Sequence, residues 1–141
     1  MTAKEYLDRA YMLRQRIMNT SDRIEKMEAR AYKSTRPIDA EATGTADPHA
    51  RERAIAELAD LRTELRYDYE DLEQARIEIR EAIDAFYPDH MDAHRIFWRR
   101  YLCGWTWSRI AAEMGLKVRE VTGIHGEALQ LIEVPEKYRN M

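Results

Sequence analysis

Residues 3–33 and 49–87 contain neither glycine nor proline. Runs of that length, rich in straight-chain and charged residues, leave the helix as the one regular structure open to them. In the first run, apolar or small side chains recur at alternating steps of three and four: Ala10, Leu13, Ile17, Thr20, Ile24, Met27 and Ala31. That spacing draws one stripe along a helix, as in a coiled-coil seam. The second run repeats it through Ala54, Leu58, Leu61, Leu65, Asp68, Leu72, Ala75, Ile79, Ala82 and Phe86. The pattern predicts helices over about 3–33 and 48–87, rods of roughly 45 and 60 Å at 1.5 Å per residue. Thr2 and Glu5 have capping-box spacing for the first. Asp47 and Pro48 suit the N-cap and first position of the second. Between them, residues 34–48 lack apolar periodicity and read as a loop that lets the rods fold back as an antiparallel hairpin. Asp68 is the polar member of its seam, the kind of residue that fixes register or oligomer state. Two helices bury little surface, so the hairpin needs a second copy or the C-terminal segment against it. The charged faces show no regular i,i+4 pairing, and no ion-pair network is expected there.

Beyond Pro88, three shorter helical patterns follow at about 90–102, 106–114 and 118–132. Gly104 and Gly115 separate them and Pro135 lies past the last. No strand-like alternation and no internal repeat are visible. The expected fold is all-α: a long, coiled-coil-like antiparallel hairpin over 1–87, with its loop at about 34–48, then a three-helix helix-turn-helix module with a short tail over 88–141. A chain of 141 residues suffices for one ordinary domain or for one small domain plus an extension. Cys103, the single cysteine, cannot form an internal disulfide, which suggests a reducing compartment and excludes a cysteine-only zinc site. No apolar run reaches the ~18–20 residues of a membrane span. The N-terminus has no signal-peptide hydrophobic region, so a soluble, cytoplasmic protein is expected. The net charge of −3 is uneven: residues 1–90 hold 15 Lys/Arg against 20 Asp/Glu, residues 91–132 hold 6 against 4. A mildly basic module on an acidic body suits a partner that carries phosphates.

The stretch from Arg100 to Val121 has helix-turn-helix mechanics. Thr106 caps a short helix whose inner side is Ile110, Ala111 and Met114, with Ala111 small where two helices must cross closely. Gly115 supplies the positive φ of a tight turn. Leu116 plugs the core, and Val118 and Val121 open the next helix against it. Such a tripod can present its last helix to the DNA major groove, about 12 Å wide. A plain three-helix bundle that binds no DNA would use the same turn.

At 100° per residue the last helix turns Val118, Val121, His125, Ala128 and Ile132 inward and Arg119, Gly123, Gly126, Glu127 and Gln130 outward, with Glu120 and Thr122 on the flanks. Arg119 is the first candidate for a base or phosphate contact, since arginine can bridge guanine O6 and N7. Glu120 can accept from cytosine N4, and Thr122 can meet a thymine methyl or a phosphate. Gly123 and Gly126 each cost about 1 kcal/mol against alanine in mid-helix. They leave either a bare face for DNA or a partner helix, or room for a close helix contact within the protein. Arg109, in the first turn of the preceding helix, is a candidate backbone anchor or a solvated charge. The candidate DNA-facing set is Thr106, Arg109, Lys117, Arg119, Glu120, Thr122, Gly123 and Gly126. Of Arg99 and Arg100, one is expected to pair with a carboxylate. Trp98, Trp105 and Trp107 read as packing residues rather than base-stacking ones, and His125 as a satisfied inner-face histidine. His90 and His94 have i,i+4 metal-ligand spacing but no evident third ligand, and Asp89 is the better candidate as a helix cap. No glycine-rich phosphate loop, G-x-S-x-G or H-E-x-x-H occurs. No enzyme activity, cofactor or metal is expected.

Residues 94–132 resemble region 4 of sigma factors, with Arg100, Tyr101, Gly104, Thr106, Trp107, Ile110, Ala111, Met114 and Gly115 at the matching positions. The whole chain is closer to small phage and prophage regulators of the ArpU type. Met1-Thr2-Ala3-Lys4-Glu5-Tyr6-Leu7 matches their opening, and Ile124-His125-Gly126-Glu127-Ala128-Leu129 resembles their ending. The resemblance implies a phage-encoded transcription regulator of late or lysogeny genes; the C-terminal module is expected to bind double-stranded DNA, and the hairpin to self-associate or to bind a host protein such as RNA polymerase. The chain departs from region 4 at Lys117, where Ser or Thr is usual, at Ser108-Arg109, where an acidic residue is common, and at Gly123, where relatives are often basic. No segment suited to opening a duplex is evident, which points to an activator or accessory factor rather than a complete sigma factor. Two competing readings are a small terminase subunit in phage DNA packaging and a protein-interaction module that uses the helix-turn-helix as a scaffold. Self-association through the hairpin is expected in the regulator and terminase readings.

Overall fold

A computed structural model describes residues 1–33 and 48–141. The expected loop at 34–48 and the expected cap Asp47 therefore fall, Pro48 apart, outside the described residues. Helix α1 spans Ala3–Glu28 and runs into a π-helical turn, Ala29–Lys33. Helix α2 spans Ala50–Asp84. Helix α3, Met91–Phe97, continues into a second π-helical turn, Trp98–Leu102. Helices α4, Trp107–Met114, α5, Val118–Leu129, and α6, Glu136–Arg139, complete the order. The fold is all-α, with no strand among the described residues. Among those residues no helix is long and apolar enough to cross a membrane.

Local chemistry explains most helix ends. Thr2 and Glu5 form the expected box: the Thr2 N–H donates to Glu5 Oε1 at 3.1 Å and the Glu5 N–H to Thr2 Oγ1 at 3.2 Å. Hydrogen bonding from the Thr2 backbone N–H and hydroxyl to the Glu5 carboxyl holds it below the usual carboxylate range. Helix α2 stops at Asp84, three residues short of the expected end. From there the backbone tightens into i,i+3 bonds, Phe86 N–H to Ile83 O at 3.0 Å and Tyr87 N–H to Asp84 O at 3.1 Å. This turn drives Phe86 into the core at 3% exposure before Pro88 bars the helical conformation for its neighbour. Asp89 does not cap α3. The N-cap is His90, with no side-chain cap bond. The expected helix at 118–132 ends at Leu129, and Ile132 reaches the core from the turn beyond it.

The chain divides into two compact units, and they do not follow chain order. One comprises Gln15–Glu70. Its interior includes Ile17, Thr20, Ala31, Leu58, Leu61 and Asp68. Within it α1 and α2 run antiparallel, as two pairs show: Arg62 Nη2 donates to Glu28 Oε1 at 2.9 Å, and Arg16 Nη2 lies 3.1 Å from Asp68 Oδ1. The helix faces thus carry ion pairs that sequence spacing did not suggest, because they bridge two helices.

The other unit joins Met1–Arg14 to Asp71–Met141. Its core takes Tyr6, Leu7 and Ala10 from the start of α1 and Ala75, Ile79, Ile83 and Phe86 from α2 and the turn after it. To these the short helices add Ile96, Phe97, Tyr101, Ile110, Ala111, Val121 and Ala128. Phe97 is fully buried, its ring centroid 4.9 Å from that of Phe86. The C-terminal segments thus receive their cover from the ends of the two long helices, and the expected division near residue 87 lies inside this unit. The tail belongs to it too. Tyr138 Oη donates to Glu78 Oε1 at 3.0 Å, and the Arg9 guanidinium lies 4.1 and 4.7 Å from the ring centroids of Tyr6 and Tyr138.

Candidate nucleic-acid interface

The turn between α4 and α5 is built by three residues whose types suit their backbone. Thr106 is extended (φ −72°, ψ 157°), and its Oγ1 accepts from the Arg109 N–H at 3.2 Å, which caps α4. Gly115 ends α4 in the left-handed region (φ 67°, ψ 30°), where a Cβ is strained. Lys117 is extended (φ −82°, ψ 152°) and donates its N–H to Glu120 Oε1 at 3.2 Å at the start of α5. Ile110, Ala111 and Val121 are buried, so α4 and α5 both face the shared core.

On the inner side of α5, Val121, His125 and Ala128 are buried as expected. His125 sits among the rings of Phe97, Tyr101 and Trp107, with centroids 4.9, 5.7 and 4.7 Å away. Tyr101 Oη lies at hydrogen-bond distance from its Nε2, 2.5 Å. Burial, helped by the nearby Arg100 cation, lowers the His125 pKa to about 4, so the ring is neutral near pH 7. Burial likewise raises the Tyr101 hydroxyl and keeps it a donor. Val118 departs from expectation: it is 43% exposed. As the first residue of α5 it overhangs the core, which α5 enters only from Val121 onward.

The outer side of α5 is open. Lys117, Arg119, Glu120, Gly123, Gly126, Glu127 and Gln130 are exposed, and Thr122 is half-buried. A Cβ built on Gly123 or Gly126 would meet nothing within 4 Å. Among the described residues, then, no close helix contact within the protein accounts for these glycines. Among the described residues no carboxylate lies within ion-pair distance of Lys117 or Arg119. The Thr122 hydroxyl is engaged with its own helix, donating toward Val118 O at 3.1 Å and Arg119 O at 3.2 Å, so its methyl and lone pair are what remain for a ligand. Glu120 also has a structural duty as the cap partner of Lys117. The C-terminal half of α5 is acidic. Glu127 lines a hollow together with Asp89 and Asp92, so a polyanion is better received at the N-terminal half.

Arg109 is exposed and four residues beyond Trp105. Its guanidinium carbon lies 3.7 Å from the Trp105 ring centroid. Arg100 lies 4.4 Å over the Trp107 ring and donates through Nη1 to Trp105 O at 3.0 Å. Arg99 is the member of the pair that meets a carboxylate, Nε donating to Glu113 Oε1 at 2.8 Å. The three tryptophans are partly buried and pack against the core. The i,i+4 spacing of Trp105 and Arg109 could have revealed their stack in the sequence, whereas nothing local marks Arg99 and Glu113 as partners. His94 Nε2 lies 2.9 Å from Asp84 Oδ1, which accounts for that ring without a metal. No protein-family model matches the chain, and neither the curated proteins nor the solved structures include a match to it.

Proposed function

We propose that this chain is a phage-encoded, DNA-binding transcription regulator in which a long antiparallel helical hairpin accompanies a sigma region 4-like helix-turn-helix. In this reading it binds and does not catalyse. The observation that carries the reading is the open N-terminal half of α5. There Lys117 and Arg119 stand exposed, without carboxylate partners among the described residues, opposite a buried face at Val121 and His125. The left-handed Gly115 turn and the Thr106 cap that fix α5 against α4 support it, as does the resemblance to ArpU-type regulators. Self-association is proposed through the Gln15–Glu70 unit. Met18, Ile55, Tyr67 and Tyr69 are each more than 40% exposed there, an unusual load for a pair of helices. Host RNA polymerase is the second proposed partner.

The test is fluorescence anisotropy with phage promoter DNA over a range of salt concentrations, together with the mass of the complex. Affinity should fall as salt rises, and Arg119→Ala should weaken binding by about 1–3 kcal/mol if it reads a base. A monomer or dimer fits a regulator, whereas a large ring would favour a small terminase subunit. Absence of salt-dependent binding, with Arg119→Ala silent, would leave the interaction-module reading.

A further inference from the structure

We infer that Trp105 is a positioning residue that holds Arg109 as a preset phosphate contact. The inference rests on the DNA-binding reading and adds to it a second anchor outside α5. The Arg109 guanidinium lies 3.7 Å from the Trp105 ring centroid, the shortest cation–ring distance among the described residues. A cation over an indole face is attracted by the ring quadrupole, and indole is the strongest such acceptor among side chains. The backbone that carries the ring is fixed. The Trp105 N–H donates to Arg99 O at 2.9 Å, and its carbonyl accepts from Arg100 Nη1 at 3.0 Å. Both backbone groups of Trp105 are therefore engaged, and its side chain packs against the core.

The charges around the ring are sorted. Arg99, 5.4 Å from the same ring, is committed to Glu113. Arg109 has no carboxylate within ion-pair distance among the described residues. Its charge is thus uncompensated while its plane is held against one surface. A stacked guanidinium keeps its edge N–H groups available, and that edge suits the paired oxygens of a phosphate. A free arginine on an exposed helix start would lose rotamer freedom on binding. One already stacked loses less, so the indole raises affinity without touching the ligand.

A double-mutant cycle tests this, read as the affinity of the full chain for a labelled duplex of mixed sequence. Trp105→Leu should weaken binding about two- to fivefold. Arg109→Ala should weaken it at least as much and lower the salt slope by about 0.9. In the Arg109→Ala background, Trp105→Leu should have no further effect, whereas a merely structural Trp105 would give additive losses. Trp105→Tyr, which keeps an aromatic face, should restore most of the affinity. Arg109→Lys keeps the charge, loses the plane and leaves the fold alone; it should weaken binding as Trp105→Leu does. In the DNA-free protein, the NMR side-chain resonances of Arg109 should be ring-shifted and relax toward free-arginine positions in Trp105→Leu. Additive losses, an innocuous Arg109→Lys or unshifted Arg109 resonances would overturn the inference while wild-type DNA binding stood. A wild type that does not bind the duplex would instead remove the DNA-binding reading, and the inference with it.

Discussion

Asp68, 2% exposed in the middle of α2, meets Arg16 of α1 across the seam at 3.1 Å through Oδ1, while its buried Oδ2 has no hydrogen-bond partner among the described residues. A carboxylate at an apolar seam position costs stability and is tolerated when a cation is set opposite it in only one register. The Arg16 side chain is 59% exposed, so solvent weakens the attraction. Arg16→Met should therefore lower the unfolding free energy by about 1–2 kcal/mol, less than for a fully buried pair. Replacing both residues by leucine should be neutral or stabilising and should loosen the choice of pairing partner. Urea midpoints at constant m-value check the first outcome and sedimentation checks the second.

Three exposed glycines of the α4–α5 region should respond with opposite signs. Gly115→Ala should destabilise by about 1–2 kcal/mol, because the left-handed backbone and not a steric neighbour excludes the Cβ. Gly123→Ala and Gly126→Ala should each stabilise by up to about 1 kcal/mol, since space is open around both and alanine is the better helix former. If the bare outer face serves DNA, these two gains in melting temperature should accompany a loss of duplex affinity. Thermal melts and anisotropy on the same samples decide it.

His125 should make the fold acid-sensitive. Its pKa falls from an ordinary 6.5 to about 4 in the folded protein, so the unfolded chain takes up the proton first. Stability should be unaffected above pH 6.5, decline as pH falls from 6.5 toward 4, and cease to change from this cause below that. The full loss is roughly 3 kcal/mol as an upper figure. Protonation also puts an N–H on both ring nitrogens in a pocket lined by Phe97 and Trp107. Combined Tyr101→Phe and His125→Leu, which removes both polar groups, should flatten that window in pH-dependent urea titrations.

Residues 88–141 produced alone should not hold a native core. They would lack Tyr6, Leu7, Ala10, Ala75, Ile79, Ile83 and Phe86, which cover Ile96 and Phe97 in the intact chain. Loss of dispersed amide resonances in the fragment, against a well-dispersed full chain, checks this. Any DNA-binding assay on the module therefore needs the whole protein.

Much of the local structure was legible in the residues. Thr2 with Glu5, Thr106 and Gly115 announce their roles because capping and positive φ are decided within four residues. The two long seams were legible because their period is maintained over many turns. Helix ends were less so: the turn after Asp84 is set by Phe86 entering a core made of distant segments, and His90 rather than Asp89 starts α3 for the same reason. The cross-helix pairs Arg16–Asp68, Arg9–Glu78 and Arg99–Glu113 join positions 14 to 69 residues apart, beyond the reach of i,i+4 reasoning. Of the candidate interface, the exposed set on α5 follows from helical phase alone. The misplacement of Val118 arose because phase does not say at which turn a helix begins to touch its neighbours.

The unit that unites Met1–Arg14 with Asp71–Met141 also imposes an order on synthesis. Tyr6, Leu7 and Ala10 are translated before the rest of their core, which lies between Ala75 and Ile132. Until Ala75, Ile79, Ile83 and Phe86 have emerged, the start of α1 carries an apolar stripe without its core partners, and that core is complete only with Ile132. Closing so long a contact is slow compared with helix formation, so the start of α1 becomes helical before the core that buries it can assemble.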